Sequence, residues 1–355
     1  MEALHELRPE EFAAYAPIIG IPEYKEAVTK AVFLDEVPQD LFIETCYAPG
    51  GTGALRNAIS CYSSPGDKIL TADWHWAPYN VIAAELGREV KTYTLFDEDY
   101  HFNDASFRKS LREILAVQDQ AVVIINTPAH NPTGYTFTLE DWDKVIDIFK
   151  SFPNKNIICV VDIAYLDFAG EAHAYRAFLK KLSGLPHHIL PLIAFSASKG
   201  FTMYGMRCGA LLCMAPTADL AKEFRDAASV ASRASWSNGN HSAMAVISKI
   251  FADDALLAKV TDERNHYMQI LQERGRAFME EADKIGLKCC PYDSGFFITV
   301  PCENAEEVGK ALQALNVFAI PLGPGIRVSV ASNTVEECRA IPGRLQQAIE
   351  SVNGK

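Results

Sequence analysis

A chain of 355 residues, 49% hydrophobic and 22% charged, has the composition of a folded protein with room for one large domain and a smaller one. Its net charge of −12 gives nucleic acid and anionic membranes no general attraction, while leaving room for a local basic pocket. Nine scattered cysteines without a Cys-x-x-Cys pair read as reduced thiols, excluding a disulfide framework or zinc site; with no signal-peptide core, membrane-length apolar run or repeat, a cytoplasmic protein is expected.

In chain order, the Pro- and Gly-rich stretch Tyr15–Tyr24 predicts a turn and then an amphipathic helix through about Phe33. Pro49-Gly-Gly-Thr-Gly53 runs into Ala54-Leu-Arg-Asn-Ala-Ile, a glycine turn opening a helix. Free N–H groups there, with the Thr52 hydroxyl, make an anion cradle, although many such turns bind nothing. After a strand ending near Asp73, Trp74-His-Trp-Ala-Pro opens a helix to Leu86. Either tryptophan can stack on a flat ring or simply pack in the core. Val90–Leu95 reads as a strand. Ala121–Asn126 is a continuous apolar run, as a parallel strand covered on both faces requires.

That run ends in Asn126-Thr-Pro-Ala-His-Asn-Pro-Thr-Gly134, where two prolines fix a loop and Asn131 can offer a side-chain donor. Thr138 is placed to cap a helix. Ile157–Asp162 is a second buried strand, and Asp162 is either a cap or a functional carboxylate at the mouth of the sheet. Ile193-Ala-Phe then leads into Ser196, Ser198 and Lys199, with Arg207 between Gly205 and Gly209. An amine at the end of a buried strand, with hydroxyls and a cation nearby, suits an aldehyde cofactor that carries a phosphate. The plainer reading is a surface lysine near an ion-pairing arginine. A helix is expected over Thr217–Ala231, then a polar loop holding Arg233, then a long helical segment Ser242–Ile285. Further strands are expected over Ser294–Val300, Val317–Pro321 and Ile326–Val330, with helices over Ala305–Leu315 and Val335–Val352. Arg327 lies in a β-branched strand, where it is either an exposed edge residue or a charge with a buried task.

Taken in order, Pro-Gly-Gly-Thr-Gly-Ala-Leu-Arg, His-Asn-Pro-Thr-Gly, Asp-x-Ala-Tyr, Ser-x-Ser-Lys then Arg, and Gly-x-Arg-Val resemble the aspartate and aromatic branch of the fold-type-I pyridoxal-phosphate aminotransferases. The resemblance covers nearly the whole chain. It implies an α/β fold: a mainly parallel seven-stranded large domain (1–274) and a smaller α/β domain (275–355), with the passage at Gly275. It also implies a homodimer. Lys199 would form the Schiff base and move the proton from the substrate's Cα. Gly51, Thr52, Ser196, Ser198 and Arg207, with the partner's Tyr15, would hold the phosphate. Spacing favours Trp76 as the stacking aromatic. Asn131 and Tyr165 would contact the ring oxygen, Asp162 the ring nitrogen, and Arg327 the substrate α-carboxylate, with Phe296 or Phe297 as a wall.

Arg233 would reach across the dimer to a distal carboxylate, which favours acidic L-amino acids as donors and a 2-oxo acid such as 2-oxoglutarate as acceptor; aromatic donors stay open because enzymes of this branch often accept both. Against that family the chain starts some tens of residues late, in the arm that covers substrate. The alternatives are a same-fold lyase working by β-elimination and a non-catalytic pyridoxal-phosphate-binding regulator, whose usual basic helix-turn-helix is absent. A nucleotide-dependent oxidoreductase is disfavoured because Gly-x-Gly-x-x-Gly is missing.

Overall fold

The computed structural model describes residues 1–354. Seven strands form the main sheet: β1 (Phe42–Ala48), β2 (Lys68–Ala72), β3 (Glu89–Tyr93), β4 (Gln120–Asn126), β5 (Asn156–Asp162), β6 (Ile189–Ser196) and β7 (Gly209–Ala215). Their order is β1-β7-β6-β5-β4-β2-β3, and only β7 runs against the rest. The apolar runs predicted as strands are buried because helices cover both faces of the sheet. Side chains of β4 alternate between two cores. Val123 and Ile125 belong to the core shared with the helices Pro22–Phe33, Asp104–Leu115 and Leu139–Lys150, while Val122 and Ile124 belong to the core shared with Gly50–Tyr62, Pro78–Glu85 and Ala218–Ser235. Thr138 caps as expected: its hydroxyl accepts from Asp141 N at 3.1 Å, and the Asp141 carboxylate accepts from Thr138 N at 2.9 Å.

The register of the sheet builds the site. Asn126 pairs with Asp162, Asp162 with Ala194, and Ser196 with Gly209. The polar residues that end three buried strands therefore share one edge, where parallel α/β sheets bind ligands.

A smaller antiparallel sheet of β8 (Phe297–Pro301), β9 (Ile320–Leu322) and β10 (Gly325–Ser329) has β10 in the middle. With the helices Ala305–Ala314 and Val335–Asn353 it encloses a third core, which also takes Leu271, Ala277, Phe278 and Ala282 from the long helix Asp254–Ile285.

Two expectations change. The segment Ser242–Ile285 is two helices, His241–Ala252 and Asp254–Ile285. Asp253 breaks it, its carboxylate accepting from Ala255 N at 2.9 Å and Leu256 N at 3.0 Å as a new N-cap. The helix expected to end at Ala231 continues to Ser235, which places Arg233 on its last turn and not in a loop. Buried Ser232, accepting from Asn57 Nδ2 at 3.0 Å, ties that extra turn to the neighbouring helix.

Candidate active site

One cavity at the strand ends gathers every site residue expected from the sequence except Tyr15, Arg233, Arg327 and the wall candidates Phe296 and Phe297. Its first end is cationic. The helix Gly50–Tyr62 starts two residues after β1, and no side chain caps it, so its first-turn N–H groups face the cavity beside Thr52, Ser196 and Ser198. Arg207 Nη1 donates to Ser198 Oγ at 3.2 Å and to the Tyr204 carbonyl at 2.9 Å. Its guanidinium lies over Gly50, where φ is +73° and a Cβ would sit 2.6 Å from Nη2. Arg207 is itself left-handed (φ 51°, ψ 57°), and the Tyr47 hydroxyl holds it by donating to its carbonyl at 2.9 Å.

The other end is anionic. Asp162 is buried, and burial raises its pKa; the Tyr79 hydroxyl, the Ala164 N–H and the Lys199 charge pull the other way. Tyr79 Oη donates to Oδ2 at 2.7 Å and Ala164 N to Oδ1 at 3.1 Å. Tyr79 is wedged between the stacked His75 ring, 6.1 Å away, and the edge-on Trp76, 5.6 Å away. Of the two tryptophans, Trp76 lines the cavity and Trp74 belongs to the core.

Between the ends stands Lys199, on the short turn Ala197–Gly200 that follows β6. Its Nζ lies 5.4 Å from the centre of the Tyr165 ring and 5.9 Å from that of Tyr204. Burial lowers the lysine pKa, nearby Asp162 opposes the shift, and Arg207 adds to it. A hydrogen-bonded chain then crosses to the smaller sheet. Arg327 Nη1 donates to Asn131 Oδ1 at 2.9 Å, and Asn131 Nδ2 donates to the Tyr165 hydroxyl at 3.3 Å. Arg327 is on the central strand β10, half-buried, its guanidinium 4.3 Å above the Phe297 ring. That removes the edge-residue reading. Phe296 instead packs on Tyr165 and Phe168.

The family model for aminotransferases of class I and II matches residues 1–345. The chain belongs to that family. The crystal structure of an aminotransferase from Anaerococcus prevotii superposes with a TM-score of 0.94 at 33% identity, over 98% of this chain and 87% of that one. The aromatic-amino-acid aminotransferase of Escherichia coli K12 is 27% identical over 91% of this chain and 81% of its own length. The aspartate aminotransferase of the same organism is 26% identical over 92% and 83%. This aminotransferase is accordingly a pyridoxal-phosphate-dependent transaminase of fold type I.

The cavity of the aminotransferase fits that cofactor by its donor set. An uncapped helix N-terminus, three hydroxyls and a guanidinium suit a phosphate, and a buried carboxylate suits a protonated ring nitrogen. Tyr15 and Arg233 do not enter it. Tyr15 is 88% exposed, and Arg233 donates from Nη1 to Ser237 Oγ at 2.7 Å on the surface.

Sequence reasoning passed over three residues. Asn126 accepts from Asn131 N at 2.7 Å and donates to the Asp162 carbonyl at 2.8 Å, so it aims both neighbours. It carries the same signature as Asp162, a polar residue ending a buried apolar strand. His130, before Asn131, is buried with Nδ1 at 2.8 Å from Thr133 Oγ1, and burial pushes its pKa down to about 3, so it is neutral. Tyr79 gave only the weak signal of one more aromatic after Trp76.

Its effect is testable. The Tyr79 hydroxyl stabilises charged Asp162, so Tyr79→Phe raises the Asp162 pKa further. If the carboxylate is the working form, activity is lost on acidification from a higher pH than in wild type. The lost hydrogen bond to a charged group, about 1.5–3 kcal/mol, lowers kcat by roughly ten- to a hundredfold. A pH–rate profile with an unmoved acid limb would show that Tyr79 only fills space.

Proposed function

We propose that this transaminase moves the amino group of acidic and aromatic L-amino acids to a 2-oxo acid such as 2-oxoglutarate, with Lys199 as the reactive amine and base. The observation that carries the reading is the bridge from Arg327 through Asn131 to Tyr165, which sets a carboxylate-binding guanidinium beside the cavity that holds Lys199 and Asp162. Bound pyridoxal phosphate supplies an aldehyde carbon and an electron-withdrawing ring. Gly51, Thr52, Ser196, Ser198 and Arg207 would hold its phosphate, Trp76 its ring face, Asn131 and Tyr165 its ring oxygen, and Asp162 its nitrogen. Arg327 grips the substrate α-carboxylate with its planar fork and so orients Cα. Lys199, its pKa lowered by burial, would take the proton from Cα as a neutral amine and deliver it to the carbon that the cofactor's aldehyde supplies, ending neutral again.

A homodimer completes the proposal. Tyr15 and Arg233 are exposed and serve the partner's site, Tyr15 at the phosphate and Arg233 at a distal carboxylate. We place the division between the domains at residue 275, within the helix Asp254–Ile285. No helix among the described residues is long and apolar enough to cross a membrane, and we place the enzyme in the cytoplasm.

The test is the visible spectrum of the cofactor-loaded enzyme on separate addition of L-aspartate, L-glutamate and L-tyrosine. Conversion of the cofactor to its pyridoxamine form without an added oxo acid supports half-transamination and ranks the donors. Consumption of amino acid without that conversion would instead indicate elimination. Arg327→Leu should lower kcat/KM for all three donors by about 10²-fold or more, the cost of leaving a carboxylate without its charged partner. Arg233→Leu should penalise only aspartate and glutamate. Equal losses for tyrosine would remove Arg233 from substrate recognition.

A further inference from the structure

We propose that Asp167 is a positioning residue for Lys199: it clamps the turn that carries the lysine to the long helix on which the C-terminal unit is built. The inference rests on the reading of Lys199 as the reactive amine. Asp167 lies in the short turn Leu166–Phe168, directly after Tyr165. The three side chains of that turn go to three places. Leu166 enters a core of the large sheet, and Phe168 enters the C-terminal core, its ring 5.1 Å from Phe296. Between them, Asp167 is largely buried and faces two arginines.

Those arginines come from different parts of the molecule. Arg176 Nη2 lies 2.7 Å from Asp167 Oδ1, and Arg264 Nη1 lies 3.1 Å from Oδ2. Arg176 is immobilised on the large domain, donating to the Val32 carbonyl at 3.1 Å and the Ala31 carbonyl at 3.0 Å, near the end of the helix Pro22–Phe33. Arg264 belongs to the helix Asp254–Ile285, whose later turns build the C-terminal core. It also lies 5.2 Å over the ring of Phe201, two residues past Lys199. The carboxylate itself abuts Gly200: any side chain there would overlap Asp167 Oδ2.

The lysine turn is closed by Phe201 N and Met203 N donating to the Ala197 carbonyl and by Thr202 N donating to the Lys199 carbonyl. Gly200 of the turn therefore rests against the Asp167 carboxylate, and the Phe201 ring that follows it lies under the Arg264 guanidinium bonded to that same carboxylate. A buried ion pair is a weak device for stability, because desolvation offsets much of its attraction. What this one does is geometric. A single carboxylate registers the reactive turn against a fixed arginine and an arginine on the helix that leads to Arg327's sheet. Displacement of a reacting amine by an ångström is enough to slow chemistry by about a hundredfold.

The test compares Asp167→Asn, Arg264→Met and the double variant, as holoenzymes, with wild type and Lys199→Ala. The expected result is a kcat about ten- to a hundredfold lower in each single variant, with KM little changed. The double variant should be no worse than Asp167→Asn, since both changes break one clamp. As an activity-independent readout, amide hydrogen exchange at Phe201, Thr202 and Met203 should quicken by about tenfold or more in both single variants, while β4 amides stay as in wild type. If Asp167→Asn folds poorly, Arg264→Met keeps the Asp167–Arg176 pair and carries the test. Wild-type kcat and wild-type exchange in these variants, with only Tm lowered, would reduce Asp167 to a structural brace and overturn the proposal. Full turnover by Lys199→Ala would instead overturn the reading of the lysine, a separate result from the exchange arm.

Discussion

Lys199→Ala is expected to leave the fold intact and to lower turnover by about 10⁴-fold or more, because on the proposed mechanism it removes both the reactive amine and the proton carrier. The amine stands between Asp162 and Arg207 in a cavity that burial keeps partly dry, and the net effect is a pKa below that of a free lysine. The neutral, basic form is thus reached at lower pH than in water. In wild type the proton-transfer rate should rise with pH through that lowered pKa and then level. Stopped-flow absorbance of the cofactor with L-aspartate measures this directly. A Lys199→Ala enzyme with undiminished rate would remove the lysine from the chemistry. Lys199→Arg, which keeps a positive charge but offers no neutral amine near pH 7, should be almost as slow as the alanine variant.

Asp162→Asn should lower turnover by about 10²- to 10⁴-fold, the loss of one charged partner from a buried pair. Its effect on stability should go the other way. A carboxyl whose pKa is raised on folding binds a proton more tightly folded than unfolded, so its charged form opposes folding once the pH exceeds the folded pKa. In the cofactor-free protein at pH 8, the neutral amide therefore leaves Tm unchanged or higher. Differential scanning calorimetry beside a rate assay separates the two effects. A lower Tm with retained turnover would mark Asp162 as part of the scaffold only. The geometry argues otherwise: a structural carboxylate does not need burial at the mouth of a ligand cavity with one hydroxyl and one N–H as partners.

The cavity residues on the large sheet were legible because they are local signatures. Asp162 and Ser196 end buried apolar strands, Gly51 and Thr52 open a helix, and Asn131 lies between two prolines. Each announces a backbone shape through its neighbours in sequence. Tyr79 and Asp167 announce nothing of the kind. Tyr79 matters because it lies under a carboxylate 83 positions away, and Asp167 because arginines 9 and 97 positions away meet on it. The extent of the helix ending at Ser235, and with it the setting of Arg233, depended on a buried contact between Ser232 and Asn57 that local propensity does not contain.

By itself the sequence determined nearly all of the strand and helix order and most of the residues that line the cavity at the strand ends. Periodicity, glycine and proline placement and motif order are properties of short stretches, and the backbone obeys them nearly everywhere in this chain. The tertiary structure alone decided that β10 is a central strand, that Arg327 reaches Asn131, and that one carboxylate at Asp167 joins the lysine turn to the long helix. Those are contacts between segments far apart in the chain. They are set by the register of the sheets and the packing of three cores, which no local pattern encodes.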